Sequence, residues 1–297
     1  MTRSILHMLS PLKHISPFDV NMASDAGFDV IVPYTGVDLG EVKSLVQDAM
    51  FSRAPQHGVR TAIFIAGKNA ELALDMIEAA KTAFVQPFQV HVFADPAGSF
   101  TTGAALVAMV GKVLRDQTGQ GISGRHVAIF GGTGVVAFCA AVLVAQEGGR
   151  PVLVGYDGPG RVSRIAASIK DRFGAHVAAV DGSTVEARRA AVREAEVVLS
   201  AAAAGIQVLS KADLAQAPKL LIASDVNAVP PAGLEGLSVQ AAGETFGVGQ
   251  VLGVGALTVG NVKYQTEVGL FRRMLEGDAP IVLGFRDAFE LAVQIAG

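Results

Sequence analysis

Short apolar runs alternate with longer amphipathic stretches along nearly the whole chain, a rhythm that predicts strands joined by helices. Ile5–Leu9, Val30–Tyr34, Thr61–Gly67 and Phe88–Asp95 are apolar and partly β-branched, as buried strands are. Ser16–Ala26, Asp38–Met50 and Asn69–Phe84, between them, carry helical spacing. Ser16 offers a cap, Pro17 suits the first helical position and Asp19 puts an acid in the first turn. A helix rich in small residues follows from Thr101 to Leu114, and the polar run Arg115–Arg125 reads as a boundary loop.

The alternation resumes with strands expected at 126–130, 151–155, 176–180, 196–200 and 219–224. Helices are expected at 134–147, 161–172, 183–194 and 210–216, the last opened by a capping pair, Ser210 and Asp213. Helical patterns from Val262 to Leu275 and from Arg286 to Ile295 fall after this second sheet is complete and are expected to return to the first domain. Strands alternating with helices imply mainly parallel sheets covered on both faces. There is no short-period repeat and no low-complexity tract.

The stretch His126–Ala137 is the most informative. It reads as a strand, a tight glycine turn and the first turn of a helix, with Gly132, Gly134 and Ala137 at G-x-G-x-x-[GA] spacing. The first glycine permits the turn, the second lets a pyrophosphate approach the backbone, and the small third residue lets helix and strand pack closely. Thr133 and Val135 complete the loop, whose bare helix-start N–H groups favour an anion. A second apolar run, Pro151–Asp157, arrives where the next strand of a nucleotide-binding fold belongs. The expected fold is therefore α/β in two domains, an N-terminal α/β domain over 1–115 and a Rossmann-like domain with a parallel sheet over 116–264. Residues 265–297 are expected to pack back on the first.

With 297 residues, 51 % hydrophobic and 17 % charged, the chain can build two cores and is not a disordered protein. A net charge of −3 argues against nucleic acid and anionic membranes as partners. No run reaches the roughly 18 uninterrupted apolar residues of a spanning helix, and Met1–Leu9 resembles a first strand more than a secretory signal. A single cysteine, Cys139, sits inside the apolar helix after the glycine turn. It excludes an internal disulfide, fits a reducing, cytoplasmic setting and reads as a buried structural thiol.

Chemistry-bearing residues cluster at the ends of the expected strands. After the second strand of the nucleotide domain stand Tyr156, Asp157 and Arg161, with Arg164 one turn on. Asp157 suits the ribose hydroxyls of NAD and either arginine suits the extra phosphate of NADP; a solvated turn is the plain alternative. Ala201 and Ala202, in Ser200–Gly205, are small enough for a flat ring to lie on the backbone, though close packing explains them as well. Asn227 either holds a carboxamide or caps a turn. In the first domain Ser99, Thr101 and Thr102 crowd one helix start, more hydroxyls than capping requires. Lys263 stands among apolar and small residues, snorkelling to solvent or aimed into a cleft. His14, beside Lys13, is either near a substrate or on a surface loop. Motifs of metal hydrolases, serine hydrolases and Walker-type phosphate loops are absent, and no metal is expected.

Several of these segments, in order, resemble the NAD(P)-dependent methylene-tetrahydromethanopterin dehydrogenases of methylotrophic bacteria. They are Pro-Phe-Asp-Val at 17–20, Thr-Ala-Ile-Phe-Ile-Ala-Gly at 61–67, Gly-Ser-Phe-Thr-Thr at 98–102 and Gly-Thr-Gly at 132–134. Asp-Val-Asn-Ala-Val-Pro-Pro at 225–231 and Gly-Ala-Leu-Thr-Val-Gly-Asn-Val-Lys at 255–263 complete the set. The resemblance implies hydride transfer from the pterin to dissociable NAD or NADP, and a cytoplasmic homo-oligomer in formaldehyde oxidation. It implies a pterin in a cleft between the domains, positioned by Asp19, Ser99, Thr101, Thr102 and Lys263, with no acid or base. It implies a cofactor held by Gly132, Thr133, Gly134, Val135, Tyr156, Asp157, Arg161, Ala201, Ala202 and Asn227. Strictly NADP-dependent relatives carry arginine where this chain has Tyr156, which favours the branch accepting NAD as well.

Two alternatives stay open at this point. Methylene-tetrahydrofolate can undergo the same chemistry, with a lysine assisting a cyclohydrolase step that Lys263 does not exclude. A dinucleotide sensor would bind NAD(P) without turnover. Polar strand ends in the first domain argue for a second ligand, and so for an enzyme.

Overall fold

The structure, a computed structural model, describes residues 2–247 and 249–297, so Met1 of the opening run lies outside it. The chain begins β1 (Ile5–Ser10), α1 (Pro17–Ala26), β2 (Val30–Thr35), α2 (Leu39–Phe51), a 3-10 turn (Pro55–Arg60), β3 (Thr61–Ile65), α3 (Ala70–Thr82) and β4 (His91–Ala94). It continues α4 (Ser99–Thr118), β5 (His126–Phe130), α5 (Val135–Gln146), β6 (Arg150–Gly155), α6 (Pro159–Phe173), β7 (Ala178–Asp181), α7 (Val185–Glu194) and β8 (Val197–Ser200). The remainder is α8 (Lys211–Leu214), β9 (Ile222–Asp225), β10 (Ala242–Thr245), β11 (Leu252–Val254), α9 (Ala256–Glu276), β12 (Val282–Leu283) and α10 (Phe285–Ala296).

Two compact units result, Met1–Thr101 with Tyr264–Leu291 and Thr102–Lys263 with Ala292–Gly297. The division falls within α4, ahead of the polar run where the sequence suggested a boundary. That run is helical as far as Thr118, whose hydroxyl donates to Leu114 O at 2.8 Å, and Lys112 pairs with Asp116 one turn apart. By length and composition Pro96–Thr118 is apolar enough to cross a membrane, but most of its apolar window is buried, as in a core helix.

In the first unit the strand order is β12-β4-β3-β1-β2, all parallel. Central β3 and β4 are buried throughout, as a sheet covered on both faces requires. Pro33, which cannot donate to a ladder, sits on edge strand β2. Phe64, Phe93 and Phe271 pack with ring centroids 5.2–5.4 Å apart, and Phe28 meets Phe271 edge-on at 6.0 Å. Truncating a phenylalanine at such a junction costs about 3–5 kcal/mol. The tail also holds a strand of the first sheet that the helical patterns did not announce. Between its two helices β12 adds a fifth strand, pairing Val282 with Val92 and Leu283 with Phe93. A two-residue strand carries no period to read; backbone bonding to the neighbour defines it, with Val92 N donating to Ile281 O at 2.9 Å.

The second sheet has the order β10-β11-β9-β8-β5-β6-β7, parallel except for β10. From β5 the chain winds outward through β6 and β7, then returns to place β8 on the other side of β5. The β5/β8 boundary is therefore a topological switch point, where ligands bind at the carboxyl ends of strands. β10 and β11 escaped the sequence reading because each is short and broken by a glycine, Gly243 and Gly253. Residues 137–144 of α5 are buried without exception, and Gly103 lets α4 come so close that a Cβ there would stand 2.9 Å from Cys139 Cβ. Cys139 is a buried core thiol.

Candidate functional site

A cleft of about 680 Å³ opens in the second unit at the β5/β8 switch point. Gly131, Thr133 and Gly134 form one side, and the stretches 201–203 and 206–208 form the other. Its backbone geometry begins with a glycine that the spacing rule did not select. Gly131 has φ +76°, the left-handed region, and a Cβ there would lie 2.4 Å from Ala201 O. Only a residue without a side chain lets the chain leave β5 so close to the chain leaving β8.

Gly132 has a different task. Its N–H donates to Val154 O at 3.0 Å, and a Cβ would meet Val154 N at 2.9 Å, so it packs β5 on β6 and does not line the cleft. Gly134 does line it. A Cβ there would meet only Gly131 O at 3.2 Å and Ala201 O at 3.9 Å, so the missing side chain leaves room for a ligand rather than for protein. Gly134 is also the N-cap of α5, and among the described residues no side chain caps this terminus. The first N–H groups of α5, from Val135 on, thus have no acceptor within the helix and carry its partial positive charge. An uncapped helix start beside a glycine-walled hollow suits the pyrophosphate of a dinucleotide.

At the far end stand Gly155 and Tyr156, from the end of β6, and Arg161 on α6. Asp157 accepts from Arg161 Nη1 at 2.5 Å and does not itself line the cleft. That hydrogen bond, then the Asp157 charge and Tyr156, raise the Arg161 pKa. Two residues unnoticed in the sequence complete this corner, Gly182 and Arg188. Gly182 N donates to Gly155 O at 2.6 Å, and a Cβ on Gly182 would clash with Val154 Cγ1 at 2.5 Å. A glycine after a third strand was visible; its nearness to Gly155 was not, because strand register decides it. Ala201 and Ala202 line the cleft as expected, while Arg164 does not.

Asn227 takes the turn-capping course of its two alternatives and adds contacts to a distant loop. Its Oδ1 accepts from Gly205 N at 3.2 Å and Val229 N at 2.8 Å, and its Nδ2 donates to Pro231 O at 2.9 Å. It is a brace tying the loop after β8 to the loop after β9. Asp225 supports the same loop from beneath, accepting from Asn227 N at 3.1 Å and Gly233 N at 2.7 Å. Burial pushes the Asp225 pKa up, and these hydrogen bonds oppose the shift.

In the first unit α1 and α4 leave the carboxyl ends of β1 and β4. Ser16 is the N-cap of α1 and Pro17 its first residue, but Ser16 makes no side-chain cap bond, and Asp19 is buried rather than solvated. Thr101 donates its hydroxyl to Asp95 Oδ2 at 2.5 Å, while Asp95 Oδ1 accepts from Phe100 N at 2.7 Å. Thr101 and Asp95 therefore fix the start of α4. Ser99 and Thr102, partly exposed, flank that pair. Lys263, on α9 at the end of the second unit, is 7 % exposed. Among the described residues no group of three or more His, Cys, Asp or Glu is placed to hold a metal ion.

Residues 17–97 match the family model for the N-terminal part of methylene-tetrahydromethanopterin dehydrogenase. Over all 297 residues, covering both chains completely, the sequence is 62 % identical to an NAD(P)-dependent methylenetetrahydromethanopterin dehydrogenase of Methylorubrum extorquens strain AM1. It is 30 % identical, again over the whole of both chains, to the bifunctional protein MdtA of the same organism. Among solved structures it is similar to a quinate dehydrogenase of Corynebacterium glutamicum in complex with NAD, with TM-score 0.55, 12 % identity and coverage of 98 % and 99 % of the two chains. A shikimate 5-dehydrogenase of Listeria monocytogenes, bound to shikimate and NAD, gives TM-score 0.51 at 15 % identity over 91 % of each chain. At such identities these two structures establish a shared α/β fold and no more.

Proposed function

Because the chain belongs to the methylene-tetrahydromethanopterin dehydrogenase family, we propose that it reversibly oxidises methylene-tetrahydromethanopterin to the methenyl form, with NAD or NADP as partner, in formaldehyde oxidation. The observation that carries this reading is the full-length match, 62 % identical, to a relative named for that activity. The uncapped α5 start and the space before Gly134 support a dinucleotide in the cleft.

The methylene carbon sits between two nitrogens, so loss of hydride leaves a cation that both lone pairs delocalise. NAD(P), when bound, supplies the nicotinamide carbon that accepts the hydride. No proton moves in this step, so a site without a general acid or base is adequate. The task of the chain is to hold donor and acceptor carbons about 3–3.5 Å apart and to keep water away. On this reading Gly131, Gly134 and the α5 start seat the pyrophosphate, with Thr133 and Val135 beside it. Ala201 and Ala202 give the nicotinamide half a flat wall, which Asn227 braces, and Tyr156, Asp157 and Arg161 border the adenosine half. Asp19, Ser99, Thr102 and Lys263 position the pterin, and Thr101 acts by holding the start of α4.

The same reading makes the protein a cytoplasmic homo-oligomer that engages neither nucleic acid nor membrane. The single buried thiol supports the compartment, and the net charge of −3 supports the lack of nucleic-acid and membrane partners. The test mixes purified protein with methylene-tetrahydromethanopterin and each cofactor in turn while reduced nicotinamide absorbance is followed. Growth of that signal is expected with both cofactors. Silence with the methanopterin and turnover with methylene-tetrahydrofolate would overturn the substrate assignment.

A further inference from the structure

Two arginines line the far end of the cleft, and their surroundings differ. Arg161 is paired with Asp157 at 2.5 Å, so its charge is largely cancelled before any ligand arrives. Arg188, in the first turn of α7, donates from Nη1 to Gly182 O at 3.0 Å, and among the described residues no carboxylate pairs with it. Its guanidinium is a planar fork of several donors suited to phosphate oxygens, and one bond to a carbonyl leaves most of that fork available. The backbone sets its place. Gly155 and Asp181 are register partners on β6 and β7, and Gly182 N bonds to Gly155 O, so the start of α7 is held against the end of β6.

We propose that Arg188 is the specificity-determining contact for a phosphate on the 2′ position of the adenosine ribose. The Asp157–Arg161 pair stays closed beside it and tolerates an unphosphorylated ribose. The proposal rests on the nucleotide reading of the cleft. It explains how one corner serves NAD and NADP alike: the carboxylate that would repel a 2′-phosphate is already neutralised, and the attraction comes from a neighbouring helix.

Calorimetric titration of the full-length protein with adenosine 2′,5′-bisphosphate and with AMP separates the 2′-phosphate from the redox reaction. In Arg188→Gln the bisphosphate is expected to bind about tenfold or more weakly, while AMP changes by less than about twofold. Arg188→Lys keeps the charge, loses the fork and is expected to fall between; it carries the same comparison if the glutamine variant does not fold. Equal weakening of both ligands would make Arg188 a mere support of the Gly182 corner and overturn the proposal, as would an unchanged bisphosphate affinity. If the unaltered protein binds neither ligand, the nucleotide reading itself falls, a result distinct from binding that ignores Arg188.

Discussion

Replacing Gly131 by alanine tests whether one backbone crossing shapes the cleft. Gly131 holds φ +76°, and the added Cβ would stand 2.4 Å from Ala201 O, where real contacts stay beyond 3.0 Å. The chain after β8 must then retreat by more than half an ångström, or the turn must change hand. A left-handed backbone costs a residue with a side chain about 1–2 kcal/mol, and a methyl forced into a packed site costs about 1–3 kcal/mol. The variant should therefore lose about 2–5 kcal/mol. For a unit of this size that lowers Tm by on the order of 5–15 °C, read by circular dichroism on heating and by denaturant midpoints. Gly134→Ala is the matched control. Its φ is −88° and its Cβ meets no protein atom closer than 3.2 Å, so Tm should stay within about 2 °C while NADH binds about tenfold more weakly. The reasoning is refuted if G131A melts with the unaltered protein, or if G134A loses as much stability as G131A.

Three further outcomes are expected. His91, buried with Nε2 3.3 Å from Val59 O and Nδ1 accepting from Ile281 N, has its pKa lowered from 6.5 to about 4 by desolvation. The unfolded chain then binds a proton that the folded one resists, so stability is full above pH 6.5 and declines toward pH 4 by up to about 3 kcal/mol. Denaturant midpoints against pH should slope less in His91→Gln, and equal slopes would contradict the assignment. Asp225→Ala leaves buried backbone N–H groups without an acceptor, costs on the order of 3 kcal/mol and loosens the wall that Asn227 braces. It should lower Tm and weaken NADH together; unchanged cofactor affinity would detach that loop from the cleft. Lys263→Ala should cut kcat/KM for the pterin about a hundredfold by losing substrate alignment while NADH binds as before, and unaltered kcat and KM would remove Lys263 from the site.

Residues whose partners lie close along the chain declared themselves in the sequence. Ser210 and Asp213 form the capping box their spacing announces, with Asp213 N donating to Ser210 Oγ at 3.2 Å and Ser210 N to Asp213 Oδ2 at 3.0 Å. Strands β5 and β6 and the glycine turn were equally legible, because a buried parallel strand needs an unbroken apolar run. Roles that depend on distant segments were not. The spacing rule chose Gly132 and Gly134, yet Gly131 makes the crossing, because only the return of the chain through β8 brings Ala201 against it.

The amphipathic rhythm and turn chemistry by themselves determined two α/β units and a strand–glycine turn–helix, since each is a local consequence of burial and backbone freedom. Tertiary structure alone decided that β12 joins the first sheet, that Asn227 braces a wall and that Arg188 stands beside the Asp157–Arg161 pair. Those facts depend on strand order and register, which bring together groups far apart in sequence, and no local pattern encodes that proximity.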